Sequence, residues 1–382
     1  MESLYIHVPF CTRKCGYCDF FSVEYDEDLV ERYLNALEKE IQFYSEKLRA
    51  LKTVYIGGGT PAVLSENGLE RFLSAVSGNI RLKDGYEFTI EANPVTLSDK
   101  KIDIMKNYLI NRISIGVQSF NDEMLATLGR SHNAQEAEDA IRLVSGKFAN
   151  ISIDLIYGIP GQDVAFWEET LKRTTSYNPT HISAYELTPE EGTPLFSGIT
   201  AKKIKMPEEE SILRMYEKAA EILSDSGYNH YEISNYALSG FESMHNLNYW
   251  RRGEYIGLGP SAHSFLDGTR YKNAVSIMDY CQKLDSGIAP FEDVTALSDA
   301  DEIKEMIFLG LRVAEGVDLG KIVEKASHLI DTEIEYDKVV DGLMPYVDKG
   351  FLRIGNDRLS ITEKGFALSS TLIVEIMRAL GL

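Results

Sequence analysis

Two textures of apolar and polar positions alternate along the first half of the chain. Short apolar, β-branched runs recur: "LYIHVP" from Leu4, "TVYIGG" from Thr53, "YEFTIEA" from Tyr86, "RISIGVQ" from Arg112, "ISIDLIYG" from Ile151 and "HISAYELT" from His181. Amphipathic stretches separate them, among them "DLVERYLNALEKEIQFYSEKL" and "DVAFWEETLKRTT". Strand–helix alternation of this kind predicts right-handed βαβ units around a parallel sheet. Six units are enough to close, or nearly close, a barrel, so the fold class expected for residues 1–190 is α/β.

Each run ends in polar or special residues. Cysteines follow the first, Gly57-Gly58-Gly59-Thr60-Pro61 the second and Glu91-Ala92-Asn93-Pro94 the third. Gln118 ends the fourth, Asp154 lies in the fifth, and Glu186 and Thr188 end the sixth. Parallel α/β barrels build their sites at the C-terminal ends of the strands. Six strands that carry such residues to one rim predict a site there. Turn chemistry explains the glycines and prolines, but not the acids and cysteines together.

The texture changes past residue 190. "ITAKKIKMPEEE" reads as an exposed loop leading to a helix over 207–226. Residues 229–265 read as irregular, rich in aromatics and glycine, and residues 191–296 are expected to extend the barrel. From residue 297 to 382, helices and two short strands with a turn, "GFLRIGNDRLSITEKG", predict a winged-helix-like α+β domain. Wings often bind DNA, but Lys321 to Leu382 holds eight basic against ten acidic residues. Packing or partner docking is the expected role.

Composition narrows the function classes. A net charge of -20 argues against nucleic acid as a partner. No segment is apolar for long enough to span a bilayer, and the N-terminus carries no signal-peptide pattern. The expected location is cytoplasmic, where thiols stay reduced. Only four cysteines occur, and three fall within "CTRKCGYC" as Cys11, Cys15 and Cys18. The C-x3-C-x2-C spacing suits three chemistries. Structural zinc needs a fourth ligand, with His7 at hand. A redox C-x-x-C would sit at a helix start and leave Cys11 unused. An iron–sulfur cluster usually takes four thiolates, and three leave one iron open to a ligand. Cys281 lies far away in "IMDYCQKL" and reads as a buried thiol.

"CTRKCGYC" resembles the signature of radical S-adenosylmethionine (radical SAM) enzymes. With "YIHVPFC", "GGGTP", "IEANP", "GVQSF" and "IDLIYGIPGQ", nearly the whole chain is similar to the subgroup of oxygen-independent coproporphyrinogen III oxidase. The resemblance implies a partial (β/α)6 barrel and a [4Fe-4S] cluster on Cys11, Cys15 and Cys18. The open iron of that cluster would chelate the amino and carboxylate groups of SAM. It further implies SAM contacts from Gly58, Gly59 and Thr60 at the methionine end, and from Glu91, Gln118, Arg130 and Asp154. Tyr5 and Tyr17 match further contacts, and Thr188 matches one by spacing. Arg130 suits a carboxylate, Asp154 suits ribose hydroxyls, and glycines allow close backbone approach.

Three departures point to one branch. The oxidase has a fourth cysteine where this chain has Phe20, and an N-terminal extension where ten residues precede Cys11 here. "HNLNYW", His245 to Trp250, resembles the haem chaperone branch. That branch implies haem as cargo, acceptor haemoproteins as partners and an electron donor for the cluster. Haem iron takes an imidazole readily, and aromatics can cover a porphyrin face. His245 beside Tyr249 and Trp250 is the expected ligand, with a cavity in front of it and His263 as its rival. Turnover of coproporphyrinogen, or tetrapyrrole chemistry of another radical SAM kind, is the alternative. Weak membrane association and oligomeric state stay open.

Overall fold

The structure is a computed structural model covering residues 1–382. The six runs form six strands: β1 (Ser3–Val8), β2 (Leu51–Gly58), β3 (Leu82–Ala92), β4 (Arg112–Gln118), β5 (Asn150–Tyr157) and β6 (His181–Glu186). They pair in chain order and all in parallel. Helices cross between them, beginning with α1 (Glu27–Phe43) and α2 (Glu66–Asn79). Local chemistry sets where these helices start. Asp26 accepts from the amide of Leu29 at the start of α1, and Ser65 from that of Gly68 at the start of α2.

The sheet does not close on itself. Beyond β6 it continues through Asn235–Ala237 to an edge at Asn229–Glu232. On the other side Tyr255–Leu258 joins β1 in parallel. Antiparallel strands His263–Leu266, Thr269–Asn273 and Phe291–Ala296 then complete twelve strands. The arrangement is an open α/β barrel with antiparallel wings. A core of 58 buried residues runs through it. α1 contributes Tyr33, Leu34, Leu37 and Ile41 to that core.

Two stretches depart from the expected elements. Residues 229–266 are not irregular: they hold four short strands and the helix Met244–Trp250. Their elements span three to seven residues, too short for a periodic signal. The expected loop from Ile199 starts inside a helix, Pro194–Thr200, opened by a proline at its first turn. Residues 299–379 form helices around a three-stranded sheet of Val317–Asp318, Leu352–Gly355 and Arg358–Ile361. They enclose a second core of 17 buried residues. No helix is long and apolar enough to cross a membrane.

Candidate functional site at the barrel rim

The loop after β1 carries the three cysteines to the C-terminal rim. All three are free and partly exposed. Burial pushes the Cys18 thiol up to about 11 and raises Cys11 as well. A redox C-x-x-C sits at a helix N-terminus, but α1 starts only at Glu27, so no helix N-terminus serves Cys15 or Cys18. His7 is not a spare zinc ligand. Its Nδ1 bonds the Tyr5 hydroxyl at 2.9 Å and its Nε2 the Phe21 carbonyl oxygen at 2.9 Å. No three His, Cys, Asp or Glu side chains converge on a single-ion position. Three unpaired thiols on one loop do suit an iron–sulfur cluster, which is larger than one ion and takes thiolate ligands.

Beside the cysteines opens a cavity of about 510 Å³. It runs from Tyr17, Cys18 and Phe20 at the mouth to Arg112, Ser114 and Asn246 inside the barrel. Of the residues expected at the site, Tyr17, Gly58, Gly59, Thr60, Glu91, Gln118, Arg130, Asp154 and Thr188 all line it. Cys15 is tied to this group, since Arg130 donates from Nη1 to its Sγ at 3.5 Å. Arg130 Nη2 donates to the Gly116 carbonyl oxygen at 2.7 Å, while its Nε is buried without a partner. Gln118 ends β4 in the left-handed region, φ 66°, and its buried Oε1 is also unpartnered. Left-handed backbone at a non-glycine residue is uncommon and strained.

The acids are engaged within the protein. Glu91 Oε1 accepts from the Tyr55 hydroxyl at 2.7 Å and Oε2 from the Gly58 amide at 3.2 Å. Burial outweighs these bonds and pushes its carboxyl up to about 7. Asp154 accepts from Ser114, Ser152 and Ser183, at 2.8 to 3.1 Å.

Two expectations change in detail. The glycines are required first by the protein itself. A Cβ on Gly58, whose φ is +111°, would stand 2.6 Å from the His7 ring. One on Gly59 would stand 2.6 Å from the Phe10 carbonyl oxygen. Tyr5 does not line the cavity, because its hydroxyl is turned to His7.

His245 departs further from expectation, because it faces no cavity. It is 1% exposed, with Nδ1 bonded to Thr53 Oγ1 and Nε2 to the Tyr249 hydroxyl, both at 2.8 Å. Its ring stacks on Tyr55 at 5.2 Å. Burial, with Arg112 nearby, lowers its pKa to about 3, so the ring is neutral. Glu87 anchors the start of this helix by accepting from the amides of Met244 and His245. Asn246, not His245, is the residue of "HNLNYW" that reaches the cavity. His263 is exposed on its strand.

Tyr55, Arg112, Ser114, Ser183 and Tyr185 line the cavity as well. A signal for them existed. Arg112, Ser114, Gly116 and Gln118 alternate along β4, as Ser183 and Tyr185 do along β6, and every second residue of a strand shares a face.

An open parallel barrel with three cysteines and a deep cavity at its rim defines a radical SAM type of protein, and the profile of the Radical SAM superfamily matches residues 5–174. The HemN C-terminal domain profile matches residues 297–368. A Lactococcus lactis protein named heme chaperone HemW is 37% identical over 379 residues, covering 98% of this chain and 97% of that one. Its Escherichia coli namesake is 40% identical over 277 residues, covering 70% of this chain and 71% of its own. The chain belongs to the radical SAM superfamily and, within it, to the HemW family. Among solved structures, E. coli coproporphyrinogen III oxidase (HemN) superposes with a TM-score of 0.82 at 23% identity, covering 98% of this chain and 89% of that one. At that identity the likeness establishes the fold alone.

Proposed function

We propose that this protein is a haem chaperone that holds a [4Fe-4S] cluster on Cys11, Cys15 and Cys18, binds SAM in the rim cavity and passes haem to acceptor haemoproteins. The observation that carries the reading is the end-to-end similarity to proteins named heme chaperone HemW. The mouth of the cavity supports it. Where the oxidase pattern has a further cysteine, Phe20 presents a ring 63% exposed, an apolar surface suited to a flat apolar ligand. When bound, the cluster would supply an open iron and one-electron chemistry. The chain's own part is to hold that iron beside a cavity that bonds polar groups. Arg130 and Gln118 each keep an unspent buried polar atom there.

Haem ligation by His245 requires the Tyr249 hydroxyl to release Nε2 and the helix to leave Thr53. His263 needs no such movement. The test takes anaerobically reconstituted protein with haem and, separately, with coproporphyrinogen, SAM and a reductant. A shifted Soret band without SAM, and no protoporphyrinogen, is the expected result. Catalytic formation of protoporphyrinogen would replace this reading with the oxidase.

A further inference from the structure

Arg112 opens β4 and is 2% exposed, yet it forms no ion pair. Its one hydrogen bond runs from Nη1 to Thr89 Oγ1 at 3.4 Å, and its Nε is buried without a partner. A buried guanidinium with unspent donors is costly, because it has left water without full replacement. The acids around it are committed elsewhere. Glu87 holds the amides of Met244 and His245, Glu91 holds Tyr55 and Gly58, and Asp154 holds three serines. Burial disfavours the Arg112 charge, and Glu87 and Asp154 favour it at a distance. The guanidinium lines the inner end of the cavity, with Asn246, Ser114, Ser183 and Tyr185 around that end.

We infer that Arg112 is an anion-binding residue on the floor of the cavity, placed to take a carboxylate of the ligand that enters it. A guanidinium offers a planar fork that matches a carboxylate with two parallel bonds. Inside the barrel, screened from water, such a pair discriminates strongly between a ligand that has the carboxylate and one that lacks it. Arg130 answers a different group, since it lies at the rim against Cys15. The carboxylate it fits is a propionate of the haem cargo, because the carboxylate of SAM would go to the open iron at the rim, beside Arg130. The choice of haem rests on the function proposed above, while the placement of Arg112 does not.

The experiment uses the full chain with its cluster reconstituted, and two ligand pairs. SAM is compared with decarboxylated SAM by calorimetry, and haemin with its dimethyl ester by Soret titration. Wild-type protein should prefer haemin to its dimethyl ester by about tenfold or more. Arg112→Met should bring that ratio near one and leave the carboxylate-free ligand bound within about twofold of wild type. A residue that only balanced Glu87 and Asp154 would weaken both members equally. The SAM pair is the control: its ratio, set at the rim by the open iron and Arg130, should stay within about twofold of wild type in Arg112→Met. A haemin ratio in Arg112→Met equal to that of wild type, or no haemin preference in wild type, overturns the inference. If circular dichroism shows that Arg112→Met does not fold, Arg112→Lys serves, since it keeps the charge and loses the fork. Its ratio should fall at least about threefold, and an unchanged ratio is fatal to the inference. A chain that binds neither haemin nor its ester ends the chaperone reading and this inference with it. A haem-binding chain whose variants keep the haemin ratio ends the inference alone.

Discussion

Asp154 accepts from serines on β4, β5 and β6, so one carboxylate ties three adjacent strands beneath the cavity. Removing it leaves the Ser114 and Ser183 hydroxyls without that partner, while Ser152 keeps His181 Nδ1. Asp154→Ala should lower the unfolding free energy by about 2–4 kcal/mol, as read by denaturant titration, and a loss below about 0.5 kcal/mol would contradict the tie. Glu40 shows the opposite balance. It is fully buried on α1 and accepts from Gly259 N, Asn273 Nδ2 and Tyr280 Oη, yet burial still pushes its carboxyl up to about 7. Its folded-state pKa therefore lies above the unfolded value of about 4.3, and the folded protein binds the extra proton. The stability this contributes is complete below about pH 4 and is lost as pH rises through 7. Glu40→Gln removes the titration, and Glu91 and Glu232, whose carboxyls burial also pushes up to about 7, titrate equally in both proteins. The difference in unfolding free energy between wild type and variant should change by about 2–3 kcal/mol between pH 5 and 8. A difference that stays flat would show that Glu40 does not titrate in that range.

The helix Met244–Trp250 closes the inner end of the barrel through two anchors, Glu87 on its first amides and Thr53 on His245. Glu87→Gln keeps an acceptor but removes the charge that favours a helix start. It should cost about 1–2 kcal/mol, with the loss concentrated in amide exchange of residues 244–250. Uniform exchange across the molecule would count against local anchoring. Tyr249→Phe frees Nε2 of His245 with little change of volume. If the helix moves to ligate haem, this variant should bind haem more tightly than wild type in a Soret titration, and equal affinity would remove His245 as the ligand. The elements themselves were legible in the sequence to very different degrees. Six strands and the long helices were readable because each runs long enough to show its period. Residues 229–266 were not, because elements of three to seven residues leave no repeat to read. The burial of His245 was equally hidden. A histidine among aromatics looks the same whether it faces a cavity or a threonine 192 positions away. Gly58 and Gly59 were legible as necessary, but not their reason, which lies in contacts to His7 and Phe10 far back in the chain.

At the scale of the whole molecule, the cysteine loop, the cavity and the mouth at Phe20 share one rim, while residues 299–379 keep their own core. Iron should depend on the loop alone. Cys11→Ala, Cys15→Ala and Cys18→Ala should each abolish iron binding after reconstitution. Cys281→Ala should not, because that thiol is buried against the Arg32 carbonyl oxygen on another face. Iron lost from Cys281→Ala would break the three-thiolate assignment. If this rim serves delivery of haem, transfer itself can be followed. Haem-loaded, cluster-reconstituted protein is mixed with an apo-haemoprotein, the two are separated, and the Soret band of each is recorded over time. The expected result is that haem leaves this chain and appears in the acceptor faster than free haem supplies it. Haem that stays bound, or reaches the acceptor no faster than from solution, would rule out delivery by this chain.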